Sequence, residues 1–281
     1  MKYLLLSIAV AFGWLLGSQP SQAQTDPRAP DFFNQKERLP LPSLQGVSRL
    51  RFLTTLDFPP FNMLNDAGQL SGYNVDLAKA LCSQMGLNDI CQIEAVPWDE
   101  MEDRLEKGGA EAIIAGLGPT RQNRKKLAFT RAYIRLPARF ATTKAKTFKK
   151  PAATAVRGKN IGIIAGTAHE ELLKSYFPQA LAKPYPDRPA MLAALQKSEV
   201  EAVFDDGMAL SFWLGSPQSS ECCTFTDGPY LAPQYLGPGL VIAVSQENAP
   251  LAAAFNNALQ ALQEKGILTE LYLRYFPTSF Y

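Results

Sequence analysis

Between Leu50 and Phe276 the chain alternates short strand-like runs with amphipathic helix-like stretches, and it does so in two successive sets. The first set opens on Arg51-Phe52-Leu53-Thr54-Thr55, turns at Phe58-Pro59-Pro60-Phe61, and enters a helix with Leu77, Leu81 and Met85 on one face. Asn74 can cap that helix and Gly86 stands where it would stop. A strand from Cys91 to Val96, a helix from Trp98 to Lys107 and a buried strand from Ala112 to Ala115 complete a βαβαβ order. Such an order implies right-handed crossovers and a mostly parallel sheet. The second set holds the strand Ile161-Gly162-Ile163-Ile164, a helix through Leu172 and Leu173, a helix from Met191 to Gln196, the strand Ala202-Val203-Phe204 and a helix from Met208 to Trp213. A strand from Leu240 to Val244 follows, then an i, i+4, i+7 stripe of Phe255, Leu259 and Leu262, and a last helix expected to stop at Pro277. Two such units joined by extended segments predict an α/β chain of two lobes with a cleft. Ligands in these sheets sit beyond the carboxyl ends of the strands, here the loops 56–61, 115–123, 165–169 and 205–207.

Residues 1–23 have the layout of a secretory signal peptide: Lys2, an apolar run from Tyr3 to Leu16, and a small-residue exit at Ser21-Gln22-Ala23. The apolar run is shorter than the roughly 20 residues that cross a bilayer. Residues 24–47, rich in Pro, Gln and Ser without a sustained period, read as a flexible arm. Export places the four cysteines in an oxidising compartment. Cys82 ends one amphipathic stretch and Cys91 opens the next strand, so a disulfide closing that short loop is expected; the state of the adjacent Cys222 and Cys223 is left open. With 47% hydrophobic and 19% charged residues the chain can bury a core and is not a disordered one. Its 28 basic and 26 acidic residues give no basic stripe for nucleic acid. The single histidine, His169, excludes a multi-histidine metal centre and is the only residue a Ser-His-Asp triad could use. No motif calls for a cofactor or a metal.

The loops carry a pattern of their own: Phe58-Pro59-Pro60-Phe61, Gly72-Tyr73-Asn74-Val75-Asp76-Leu77-Ala78, Pro97-Trp98-Asp99, Ala112-Ile113-Ile114-Ala115-Gly116, Lys126-Leu127-Ala128-Phe129-Thr130, Gly166-Thr167, Ala202-Val203-Phe204-Asp205-Asp206, and the run Leu271 to Phe276. In order and spacing they resemble the polar amino-acid-binding members of the bacterial extracellular solute-binding proteins. The resemblance implies a type II periplasmic-binding-protein fold, with 48–138 and 235–281 in one lobe and 139–234 in the other. It also implies a monomeric periplasmic receptor that closes on an amino acid or related small polar solute and delivers it to an ABC-type inner-membrane permease.

By the same resemblance, Phe58 is the ligand-stacking aromatic and Trp98 the opposite wall, with Gly116 and Gly118 in the loop between. Thr167 and Ala168 stand at a helix start whose N–H groups suit a carboxylate, and Asp206 stands where the family pairs the ligand's ammonium. Asp205, its neighbour, is unusual for the family. The family's carboxylate-clamping arginine falls, aligned without gaps, on Asn123, flanked by Arg121 and Arg124, and the hydroxyl position of that run is lost to Gly118. Asparagine cannot reproduce the bidentate fork of an arginine. Either Arg124 or Arg121 supplies it from a shifted loop, or the ligand lacks an ordinary α-carboxylate. Two other readings share the scaffold: an enzyme resembling periplasmic cyclohexadienyl dehydratases, with Asp205 or His169 as the acid–base group, and a sensor or accessory subunit outside transport.

Overall fold

The computed structural model describes residues 31–34, 36–276 and 278–281; residues 1–23, expected to be a signal peptide, and 24–30, the start of the expected arm, lie outside the described residues. In chain order the strands are β1 Leu50–Thr54, β2 Met63–Leu64, β3 Leu70–Ser71, β4 Cys91–Ala95, β5 Ala112–Ile113, β6 Leu127–Phe129, β7 Ala138–Thr143, β8 Asn160–Ile164, β9 Leu181–Tyr185, β10 Ala202–Asp206, β11 Cys223–Tyr230 and β12 Ala243–Ser245. The helices are α1 Tyr73–Gln84, α2 Met101–Glu106, α3 Ala152–Ala155, α4 Ala168–Tyr176, α5 Arg188–Gln196, α6 Gly207–Leu214, α7 Pro233–Leu236, α8 Ala249–Glu264 and α9 Ile267–Tyr275.

Two five-stranded sheets form, ordered β4-β1-β5-β12-β6 and β11-β7-β10-β8-β9. The first pairs β1 in parallel with β4 and β5, while β12 runs antiparallel to both β5 and β6. The second mirrors it, with β8, β9 and β10 parallel and β7 antiparallel to β10 and β11. In each sheet, therefore, one strand is reversed, and it is the one that enters from the other lobe. The crossings meet at an antiparallel bridge between Ile134 and Leu240. Return to the first lobe comes slightly later than the sequence boundary at 234–235, because Tyr235 and Leu236 of α7 still pack on the second lobe's core.

Strand alternation sorts side chains to the two faces of each sheet. Leu50 and Phe52 of β1 pack with Leu77 and Leu81 of α1 and with Phe255 and Leu259 of α8. Leu53 packs on the opposite face with Met101 and Leu105 of α2. In β10, Ala202 and Phe204 join Leu172 and Leu173 of α4, and Val203 joins Met191 and Leu195 of α5. The same alternation aims Asp205 toward the α5 side. The predicted stripe Phe255, Leu259, Leu262 is buried throughout.

Three local expectations are corrected. Asn74 does not cap α1: it lies inside the first turn, where its side chain accepts from Tyr133 Oη (2.7 Å) and donates to Asn62 Oδ1 (2.8 Å). The helix starts instead at Gly72, whose φ of +128° and contact with Phe61 leave no room for a side chain. Residues 31–34 and 36–39 are no loose arm. Gln263 of α8 accepts the N–H groups of Phe32 (3.0 Å) and Phe33 (3.1 Å), Gln260 donates to the carbonyls of Asn34 and Glu37, and Phe33 is buried. An amide side chain can satisfy an extended segment's donors and acceptors together, and these two glutamines do so. The helix from Trp98 begins as a 3-10 turn, Trp98–Glu100, before α2. Cys82 and Cys91 form the expected disulfide, and Cys222 is bonded to Cys223.

Candidate functional site

The first lobe contributes an aromatic wall. Phe58 stacks on the buried Phe61, ring centroids 4.7 Å apart, so one of its faces is held by the core. Gly116, at φ +89°, sits so close that a Cβ would lie 2.7 Å from Cε1 of Phe58. Glycine at this position is what lets the ring settle over the end of β5. Trp98, 51% exposed, borders a cavity of about 320 Å³ with Leu56, Asp57, Val96 and Pro97 at the carboxyl ends of β1 and β4. Phe58, Gly116 and Trp98 are therefore brought to one edge of the sheet.

The clamp loop is organised differently from the family pattern. Asn123 is buried, and its amide is spent inside its own loop: Oδ1 accepts from the Thr120 N–H (2.7 Å) and Nδ2 donates to the Gly118 carbonyl (3.1 Å). Its N–H bonds back to Thr120 Oγ1 (3.1 Å). Asn123 braces this loop and Gly118 is part of the brace. Arg124 lies away from Trp98. It is exposed, lies over the Phe129 ring at 5.8 Å, and lines a groove along the edge strand β6 shared with Phe32, Arg131 and Arg135, not with Trp98.

The second lobe contributes a charged rim where β8, β9 and β10 end. Thr167 caps α4, its Oγ1 accepting from the Glu170 N–H (3.3 Å) and donating to the Ile164 carbonyl (2.8 Å). Glu170 reaches back past the cap to accept the Gly166 N–H (2.7 Å). The loop's leading N–H is thus satisfied by the chain's own carboxylate, kept anionic by Lys174 and then by Gly166. An incoming anion beside the exposed Ala168 would meet that charge.

Asp206 is half-buried, and its Oδ1 accepts the Ala209 N–H (2.8 Å) as the N-cap of α6. Its other oxygen has no hydrogen-bond partner among the described residues. Burial holds this carboxyl above the ordinary range, with the Ala209 N–H pulling the other way. Asp205, 1% exposed, receives Arg188 on both oxygens, at 2.5 Å from Nε and 3.3 Å from Nη2. His169 Nδ1 stands 3.8 Å from Asp205, and burial holds the imidazole below its usual value despite that carboxylate. Arg188 was missed in the sequence because it opens α5 behind an Asp-Arg-Pro turn, where an arginine reads as surface. The signal available was Asp205: a carboxylate ending a fully buried strand needs a cation. Among the described residues no three His, Cys, Asp or Glu side chains converge as a metal would require.

Two α/β lobes, each with one strand reversed by the crossing chain, an aromatic edge on one and a charged rim on the other, define a type II periplasmic-binding-protein fold. The family model for bacterial extracellular solute-binding proteins, family 3, matches residues 50–278, and the chain belongs to that family. It is 29% identical over 234 residues to ABC transporter arginine-binding protein 1 of Escherichia coli K12, covering 83% of this chain and 92% of that one. Among solved structures, the unliganded open L-cystine solute receptor of Neisseria gonorrhoeae superposes with a TM-score of 0.69 at 17% identity, covering 83% of this chain and 94% of the other. An ancestral cyclohexadienyl dehydratase gives 0.67 at 16% identity, covering 82% and 93%. These two likenesses share the fold. Among the described residues no helix is long and apolar enough to cross a membrane.

Proposed function

We propose that this protein is the substrate-binding component of an ABC-type importer, which takes up an amino acid or related small polar solute by closing its two lobes. The free oxygen of Asp206 carries the reading: a partly desolvated carboxylate on the second lobe suits an ammonium. Phe58 and Trp98 offer a surface for the rest of the ligand. The E. coli relative, named for arginine and an ABC transporter, supports the class of ligand and the permease partner. The signal layout of 1–23, the family's extracellular description and two disulfides support a periplasmic location. The protein works as a monomer, and its role is binding rather than turnover.

The test is a thermal shift and fluorescence screen of the purified protein against amino acids, opines, oligoamines and dicarboxylates. A ligand at about 100 times its Kd raises stability by ~2.7 kcal/mol. A melting temperature unmoved by every compound overturns the reading, and turnover of a prephenate-like acid replaces it with the enzymatic one.

A further inference from the structure

The clamp position of the family pattern holds no arginine here. Asn123, which stands at the clamp position, is closed on its own loop, and beside the start of α4 the Glu170 carboxylate already sits on the Gly166 N–H. One guanidinium does stand on the rim. Arg188 follows β9, bonds through Nε and Nη2 to the buried Asp205, and leaves its side chain 39% exposed. A guanidinium has five N–H donors in a fixed plane, so an anchor on the Nε edge leaves the Nη1 edge for a second anion. Nη1 has no hydrogen-bond partner among the described residues. Asp205 therefore orients Arg188 without using it up. Asp206 follows Asp205 at the end of β10, so the anchored guanidinium and the free oxygen of Asp206 belong to the same rim.

We propose that Arg188, oriented by Asp205, receives the ligand's carboxylate, so that the second-lobe rim alone holds both charged ends of an α-amino acid. The proposal rests on the amino-acid reading above. It makes the ligand a free α-amino acid rather than an amine, and it moves the carboxylate contact from the first lobe to the second. The side chain of the ligand is left to the Phe58 and Trp98 wall.

The probes are the twenty L-amino acids and the α-carboxamide of whichever binds most tightly, which keeps the ammonium and side chain but loses the anion. Wild-type protein is expected to prefer the acid by about 100-fold in Kd by calorimetry, the scale of a charge-assisted fork. Arg188→Gln should reduce that preference to within about threefold. Because Arg188→Gln leaves Asp205 buried without its partner, the double variant R188Q/D205N, which replaces the ion pair by neutral amides, is measured beside it and should behave alike. A full preference in either folded variant overturns the proposal, as does a loss of preference confined to Arg124→Ala. If no amino acid binds the wild type, the parent reading fails first. If amino acids bind wild type and variants with equal preference, only the role of Arg188 fails.

Discussion

Asp206 commits one of its two oxygens to structure and leaves the other for the proposed contact with an ammonium. One caps α6 through the Ala209 N–H, and the other is free at the rim. Asparagine caps a helix about as well as aspartate, so Asp206→Asn keeps the helix start and removes only the charge. Hydrogen bonds to charged groups are worth about 1.5–3 kcal/mol. The variant should therefore bind an ammonium ligand roughly 10- to 150-fold more weakly by calorimetry, with its melting temperature nearly unchanged. Equal affinity would take Asp206 out of the site. The same carboxyl predicts a pH dependence. Burial raises its pKa, so the ionised form that attracts an ammonium is lost on acidification sooner than for an exposed aspartate. The groups around it are Asp205, Arg188 and His169. Arg188 stays charged throughout on its bond to Asp205, and His169, whose pKa burial lowers, adds repulsion once it protonates. Affinity should hold above the raised Asp206 pKa and fall through it as pH drops, while Asp206→Asn loses that step.

The loop from Gly118 to Asn123 shows what a single exchanged residue does to an element. With asparagine at 123, the short amide reaches only the loop's own backbone, and it bonds there at both ends. Asn123→Ala leaves the Thr120 N–H and Gly118 carbonyl without these partners, a cost of about 1–3 kcal/mol. For a chain of this size that is a fall of roughly 3–10 °C in Tm. A drop in ligand affinity with an unchanged Tm would return Asn123 to direct contact. Legibility followed the same division between local and tertiary causes. Strands β1, β8 and β10 announce themselves as largely apolar runs, β4 as an alternation, and α8 as a stripe. Strand β9 carries Pro184 and exposed residues, which an edge strand tolerates but periodicity cannot flag. Strands β7 and β11 pair antiparallel across the crossing, and their register is settled by partners more than 80 residues apart rather than by local pattern. Among the candidate site residues, Phe58 and Trp98 were named one at a time from loops, and Asp206 from the end of a strand. The Arg188–Asp205 pair was not, because its members come from different elements and gain meaning only when β10 aims Asp205 at α5.

At the scale of the whole molecule, the crossing region joins the lobes. Ile134 and Leu240 bridge the two connections, with Leu240 donating to Ile134 O at 2.9 Å and Tyr133 to Leu240 O at 3.0 Å. Gly239, at φ +106°, lies so close to Ile134 O that a Cβ would come within 2.5 Å. Arg139 of β7 donates to the Phe280 carbonyl at 3.2 Å, so the last residues of the chain touch the second lobe where it leaves the first. Met208 and Phe225 of the second lobe pack against the first lobe's core here, and the Phe212 ring lies 6.0 Å from that of Phe276, so motion of the lobes must slide these contacts while the rest of each core moves as a body, combining hinge and shear. The tryptophans report on it unequally. Trp98 stands half-exposed on the first-lobe wall, whereas Trp213 packs beside the core of the second lobe with Leu210 and Val203. A ligand that draws the lobes together should shield Trp98 and leave Trp213 as it was. In Trp213→Phe, which retains Trp98, ligand should shift emission to the blue and reduce acrylamide quenching. In Trp98→Phe the remaining signal should barely move. Unchanged quenching of Trp98 under saturating ligand, with a calorimetric binding signal present, would mean that the solute binds without closure, and the receptor would then have to present two open lobes to its permease.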